Sequence, residues 1–396
     1  MAEPFRILLL NQISAAGLKR LPHERYTAGK TMADPDAILV RSQDMHGMAI
    51  APGVRAVGRA GAGTNNIPVK ALSARGVPVF NAPGGNANAV KELVLAGMLM
   101  AARNLAPALG FTAGLAAAGG DLERLVEEGK KHFTGFELTG HTLGVIGLGR
   151  VGCLVADAAI NLGMLVVGYD PDITVDAAWS LPAQVKRAHS INEVLKAGHF
   201  VTLHVPLLAT TRDLVNVRNI ELMRHGAILL NFSRDGIVNE DAVLAALASH
   251  KLKAYVSDFP SAASRGHAGV VALPHLGAST REAEDNCAVM VADALREYLE
   301  HGNIRNAVNF PEVVMPRESP FRVAIANANV PNMLGQISTA MARAGLNIHN
   351  MLNKSRGEMA YTLVDVDSAV PAGTLGALTN ISGVLVARYL PLEESA

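Results

Sequence analysis

The chain has 396 residues, with 35 Lys+Arg against 35 Asp+Glu, a formal net charge of zero and 49% hydrophobic residues. That balance excludes a basic nucleic-acid binder and an acidic disordered chain, and the length suffices for two or three domains with cores of their own. Two cysteines, Cys153 and Cys287, are too few for a disulfide framework and too far apart for a zinc knuckle, so no metal site is expected.

The first apolar run, Ile7 to Leu10, ends at Asn11 and is too short for a signal peptide. Short apolar, β-branched runs at Phe5–Leu10, Ala37–Val40, Val54–Gly58 and Val77–Phe80 alternate with helix-like segments, as in a parallel sheet with crossover helices. The stretch from Leu93 to Ala118 is the most apolar, but Arg103, Asn104 and Pro107 interrupt it, whereas a membrane span needs about 20 unbroken apolar residues. A cytoplasmic protein without membrane or nucleic-acid partners is expected.

A second strand series follows at Thr142–Ile146, Met164–Tyr169, Phe200–Val205, Ala227–Phe232, Ala254–Ser257 and Val270–Leu273. A long helix is predicted over Arg281–His301, stopped by Gly302 and Asn303. The segment PEVVMPRESP carries three prolines in ten residues and reads as a linker over 312–320. Beyond it, 321–396 runs strand, helix, strand, strand, helix, strand, the ferredoxin-like order. The expected fold is therefore α/β, with two doubly wound parallel-sheet (Rossmann-like) domains and a small C-terminal ferredoxin-like domain. The first domain is discontinuous, 1–92 with 283–311, and encloses the second, 93–282.

At the end of the strand Thr142–Ile146 stands Gly147-Leu148-Gly149-Arg150-Val151-Gly152, a complete G-x-G-x-x-G. Its glycines allow a tight turn, close approach of a pyrophosphate, and close helix–strand packing, with the phosphates at a helix N-terminus. Asp170 lies 18 residues after Gly152, at the end of the next predicted strand. A carboxylate there binds a ribose 2′-hydroxyl and repels a 2′-phosphate, which favours NAD over NADP. A second glycine loop, Gly61-Ala62-Gly63, lacks the third glycine, and with Arg59 before it suits an anion rather than a dinucleotide. His204, Arg234, Asp258 and His275 sit at predicted strand ends, where open parallel sheets bind ligands. Oxidation of an alcohol needs a base for the hydroxyl proton and a cation to polarise the substrate; either histidine could serve as the base.

The stretches GRAGAGTNNI, VFNAPGGNANAVKEL, ELTGHTLGVIGLGRVG, HVPLLATTRDLVN, NFSRDGIVNEDAVLAAL and LPHLGASTREAEDNCA resemble the D-isomer-specific 2-hydroxyacid dehydrogenases over about residues 37–310. NANVPNMLGQIS, LNIHNM and GEMAYTLVDVD resemble the ACT regulatory domain, which would be residues 321–396. The resemblance implies NAD-dependent oxidation of D-3-phosphoglycerate to 3-phosphohydroxypyruvate, the first step of serine synthesis. The alternatives are another enzyme of the family, such as a hydroxypyruvate or glyoxylate reductase, and a non-enzymatic NAD-sensing corepressor on the same fold.

The resemblance also assigns residues. Arg234 would bind the substrate carboxylate and carbonyl oxygen, and His275 would be the acid/base. Asp258 would hold the nicotinamide carboxamide, while His204, Pro206, Thr211 and Gly277 would line the cofactor pocket. The backbone at Ala62 and Gly63 would take the substrate carboxylate, and Arg41, Arg59 and Lys91 would serve its phosphate. These cations fit a first segment, residues 1–100, that holds 11 Lys+Arg against 6 Asp+Glu. Serine would bind as an effector at Asn327, Asn329 and Asn347, near Pro331-Asn332 where the family usually has Pro-Gly. The apolar run Ala101–Ala118 would make a homodimer or homotetramer contact. One departure stands out: the family pairs the catalytic His with a glutamate shortly after the aspartate, but no Asp or Glu occurs from Phe259 through Arg281.

Overall fold

A computed structural model describes residues 3–115 and 121–392. It divides the chain into two units, 1–86 with 281–396, and 87–280. The divisions fall at Asn86/Ala87 and Thr280/Arg281, so the helix Ala87–Ala102 begins the inner unit rather than being split at residue 92.

In the outer unit a five-stranded parallel sheet runs in the order Tyr26–Gly29, Phe5–Leu10, Ala37–Val40, Ala56–Arg59, Val79–Phe80. The edge strand Tyr26–Gly29 has no alternating or apolar pattern, and the sequence gives no sign of it. The helix Arg281–His301 packs across this sheet through Val291 and Leu295, and Gly58 is the residue that lets it close, since a Cβ there would lie 2.7 Å from Val291.

The inner unit carries a seven-stranded parallel sheet in the order Val270–Ala272, Leu252–Ser257, Ala227–Asn231, Phe200–Leu203, Thr142–Ile146, Leu165–Tyr169, Lys186–Arg187. The central strands are buried on both faces, which is why they read as continuous Val/Ile/Leu runs. Strand order reverses between Thr142–Ile146 and Phe200–Leu203, and such a reversal opens a ligand crevice at the strands' carboxyl ends. The helices Ala87–Ala102 and Leu105–Leu115 bend by 67° at Arg103–Asn104, where Asn104 takes φ +52 and donates to the Thr134 carbonyl at 3.0 Å. No single helix among the described residues is long and apolar enough to cross a membrane.

The C-terminal segment forms an antiparallel sheet, Ile348–Arg356, Met359–Val366, Phe321–Ala328, Val384–Pro391, with helices Met333–Arg343 and Thr374–Thr379. It has a core of its own, in which Val323, Ile325, Ile337, Val364 and Leu378 are buried together, and it falls within the outer unit. Phe310, Val313 and Met315 are buried in one apolar cluster with Leu39 and Leu299 on one side and Ala324, Tyr361 and Leu363 on the other. The expected linker 312–320 is therefore an anchored connector: at roughly 1.5–3 kcal/mol per buried large apolar side chain, Val313 and Met315 offset the freedom its prolines suggest, while Glu312, Pro316, Glu318 and Pro320 stay exposed. The sheet also caps the end of the long helix. Arg388 donates to the Leu299 carbonyl at 2.9 Å, Tyr361 to Gly302 at 2.7 Å and Arg322 to His301 at 3.2 Å.

Candidate active site

The glycine loop has the geometry its sequence implies. Gly147 takes φ +93, and a Cβ on it would lie 2.5 Å from the His204 carbonyl, so the turn is pressed against the next strand's end. A Cβ on Gly152 would lie 2.0 Å from the Gly147 carbonyl, which fixes the helix Arg150–Asn161 tightly on the strand. Gly149 is different: it is exposed, nothing lies within 4 Å of its missing Cβ, and no side chain caps the helix it begins. That open, uncapped N-terminus is what a pyrophosphate requires. Asp170 accepts from Leu148 N–H at 2.8 Å and Asp172 N–H at 2.9 Å, one bond on each oxygen, and the remaining lone pairs can take ribose hydroxyls. The residues fit NAD.

His204 follows the neighbouring strand. Its Nε2 lies 3.0 Å from the Thr202 hydroxyl, and desolvation pushes its pKa down to about 3. The ring is therefore neutral at physiological pH, with its Nε2 engaged by Thr202. Thr211 closes the same turn, donating from its hydroxyl to the Pro206 carbonyl at 2.5 Å and accepting from Leu208 N–H at 2.7 Å.

Arg234 and His275 stand at the ends of the strands Ala227–Asn231 and Val270–Ala272. A hydrogen-bonded path joins their loops. The Asn231 side chain donates to the Arg234 carbonyl at 2.9 Å, and the Asn231 carbonyl accepts from Asp258 N–H at 3.1 Å. Asp258 in turn accepts from Leu276 and Gly277 N–H, each at 2.7 Å. The Arg234 guanidinium donates to the Ser233 carbonyl at 2.6 Å; desolvation lowers its pKa below the ordinary value, yet a guanidinium stays charged. His275 is exposed, takes φ +57, and sets its ring 5.0 Å from that of Phe259; among the described residues its imidazole has no hydrogen-bond or ion-pair partner.

Asp258 has a task besides the one the resemblance assigns. It is 1% exposed, and each of its oxygens accepts one backbone N–H of the His275 loop, with further lone pairs left over as at Asp170. Asn231, Ser233 and Phe259 were missed by sequence reasoning. Only their position at strand ends could have flagged them.

The remaining predicted residues belong to the outer unit, except Lys91, whose Nζ lies 3.8 Å from Glu92. Arg41 pairs with Glu284 at 2.6 Å, and its carbonyl accepts from Arg59 Nε at 3.0 Å. The Arg59 guanidinium lies over Gly61, where a Cβ would come within 2.0 Å of it. The Ala62 carbonyl accepts from Asn81 at 2.6 Å, holding the Ala62–Gly63 loop.

At the C-terminal sheet, Asn327, Asn329, Asn332 and Asn353 line one cavity of about 230 Å³, which Asn347 does not reach. Asn347 is exposed, with its N–H bonded to Asp367 at 3.2 Å. Asn327 is 1% exposed and its Oδ1 has no partner among the described residues. Asn332 takes φ +62, the conformation glycine would provide, and leaves the helix Met333–Arg343 without a side-chain cap.

Residues 96–277 match the family model for the D-isomer specific 2-hydroxyacid dehydrogenase, NAD binding domain. The chain is 34% identical over 353 residues to the D-3-phosphoglycerate dehydrogenase of Haemophilus influenzae, covering 86% of this chain and 82% of that protein. It is 32% identical over 341 residues to that of Escherichia coli K12, covering 83% and 79%. In fold it resembles the crystal structure of NAD⁺-bound 3-phosphoglycerate dehydrogenase from Entamoeba histolytica, with a TM-score of 0.61 and 22% identity over 77% of this chain and 99% of that one.

Proposed function

The chain belongs to the D-isomer-specific 2-hydroxyacid dehydrogenase family, and from that premise we propose that it oxidises D-3-phosphoglycerate to 3-phosphohydroxypyruvate with NAD, opening serine biosynthesis. The observation that carries this reading is the bonded path from Arg234 through Asn231 and Asp258 to the His275 loop, at the carboxyl ends of adjacent parallel strands next to the dinucleotide crevice. Arg234 offers paired N–H donors to the substrate carboxylate and hydroxyl oxygen, and its charge stabilises negative charge growing on that oxygen. His275 takes the hydroxyl proton at a ring nitrogen, a contribution of roughly 10²–10⁴-fold. The glycine loop and Asp170 would hold NAD, which would supply the hydride acceptor. His204, neutral across the physiological range, keeps charge out of the crevice.

A phosphorylated substrate needs further cations, and we assign Arg59, Arg41 and Lys91 to the phosphate, with Arg best suited to bidentate contact. The Ala62–Gly63 backbone would receive the carboxylate. Steady-state assays with 3-phosphoglycerate, glycerate and 2-hydroxyglutarate, followed by NADH absorbance, test the reading. Preference for glycerate would make the chain a hydroxypyruvate or glyoxylate reductase; no turnover with any of them would favour an NAD-sensing role.

The C-terminal sheet is read as an ACT domain that binds serine. Support comes from the Asn327 Oδ1, which lacks a partner among the described residues and suits an ammonium, beside the uncapped helix start, which suits a carboxylate. Calorimetric titration with serine tests it. The helix Leu105–Leu115 buries none of its residues, with Leu109 69% exposed, and this supports a homodimer through that face. Of the expected contact Ala101–Ala118, residues 116–118 lie outside the described residues.

A further inference from the structure

Resting on His275 as the acid/base, we infer that Asp258 and Phe259 are its positioning residues, holding the imidazole by its backbone and its ring face in place of a carboxylate on the ring nitrogen. An imidazole that moves a proton must be held in one orientation, and hydrogen bonding at the second nitrogen is the common means. Here that nitrogen has no side-chain partner among the described residues, and the loop supplies orientation by two other routes.

The first is a backbone clasp. His275 occupies the left-handed region at φ +57, a conformation disfavoured for residues with a Cβ and retained only where surrounding contacts fix it. Those contacts are the two successive N–H groups after it: Leu276 donates to Asp258 Oδ1 and Gly277 to Oδ2, both at 2.7 Å. Bonds to a carboxylate are about twice as strong as neutral ones, and at 1% exposure this carboxylate does not exchange them for water. Asp258 is itself fixed, because its N–H is bonded to the Asn231 carbonyl at the neighbouring strand end. The peptide planes that follow His275 are thereby set, and with them the direction in which its side chain leaves the backbone. Gly277 completes the device, since a Cβ there would lie 3.1 Å from Asp258 Oδ2.

The second route acts on the ring. Phe259, the next residue along, sets its ring 5.0 Å from the imidazole at an interplanar angle of 60°. Tilted aromatic contacts of this kind favour one arrangement over free rotation. One dipeptide thus fixes both the backbone and the ring of His275, where the chain from Phe259 through Arg281 has no acidic residue to offer.

The test compares kcat and KM for 3-phosphoglycerate and the Kd for NAD in Asp258→Asn, Phe259→Leu, Phe259→Tyr and His275→Asn, with thermal melts on each. Asp258→Asn keeps one acceptor and turns an NH₂ toward the other N–H; kcat should fall about 10–100-fold, with KM and Kd within twofold. Phe259 is only partly buried, so Phe259→Leu should fold normally and lose about tenfold in kcat, while Phe259→Tyr, which keeps a ring, recovers most of the loss. A purely structural role would lower the melting temperature and leave kcat in place in the folded fraction. If His275→Asn loses at least a hundredfold while Asp258→Asn and Phe259→Leu keep kcat within twofold, the positioning role is refuted and the acid/base assignment stands. If His275→Asn itself keeps its activity, the underlying reading of the site is wrong.

Discussion

The buried pair Arg322–Asp365 gives the firmest quantitative test of how the C-terminal sheet is held. Both side chains are fully buried. Arg322 Nε donates to Asp365 Oδ1 at 2.6 Å and Nη2 to Oδ2 at 2.8 Å, a bidentate fork. Nη1 donates to the His301 and Met315 carbonyls and Nη2 also to Pro316, so the five N–H groups of the guanidinium are all used. Asp365→Asn removes the negative charge and points an NH₂ at a cation that cannot reach water. Breaking one partner of a buried pair costs about 3–5 kcal/mol. Replacing both, as Arg322→Met with Asp365→Leu, removes the stranded charge and should recover much of that loss, apart from the three carbonyls and the Glu318 N–H left unpaired. Urea denaturation is best followed by near-ultraviolet circular dichroism, because Tyr298 and Tyr361 are buried in the unit that holds this pair, whereas the single tryptophan, Trp179, is 86% exposed and belongs to the other unit. A loss below about 1 kcal/mol for Asp365→Asn, or a double variant no more stable than the worse single one, would refute the reasoning.

Three further predictions concern the inner unit. His204 is neutral in the folded state, with a pKa of about 3 against about 6.5 unfolded; stability is complete above pH 6.5 and drains as pH falls toward 3, by about 2 kcal/mol at pH 5. His204→Gln should flatten that slope in denaturation measured at pH 7.5 and 5, and an unchanged slope would count against it. Gly149→Ala should leave the melting temperature unchanged, since its Cβ meets open space, yet weaken NAD in calorimetry about tenfold or more; Gly152→Ala should destabilise the fold, because its Cβ meets the Gly147 carbonyl. The opposite ranking of the two melting temperatures would overturn this account of the loop. Asp170→Ala should lower kcat/KM for NAD and narrow its preference over NADP by about tenfold or more, and an undiminished preference would show that the carboxylate does not select the cofactor.

Most of the inner sheet is legible in the chain because each buried strand must be apolar whatever its neighbours are. Thr142–Ile146 and the glycine loop after it are local patterns, and the helix Arg281–His301 carries its own spacing and stop signal. Strands without that pressure stay hidden: Tyr26–Gly29 and Lys186–Arg187 sit at sheet edges, and the latter is exposed on both residues. The connector 312–320 misleads for a related reason. Proline and charge mark a segment as irregular, but they do not say whether its apolar residues find a core, and Val313 and Met315 do.

By itself, the sequence determined the fold class, the dinucleotide loop with Asp170, and the presence of an arginine and histidines at strand ends, because each follows from residues a few positions apart. Tertiary structure alone decided what those residues do with their polar groups. It separated His204, desolvated and held by Thr202, from His275, exposed and without a partner for its imidazole among the described residues. It spent Asp258 on N–H groups 18 and 19 positions away, and it buried Arg322 against an aspartate 43 positions away. A hydrogen bond is fixed by distance and direction in space, and burial by what the folded chain lays over a side chain; neither quantity is written in the order of the residues.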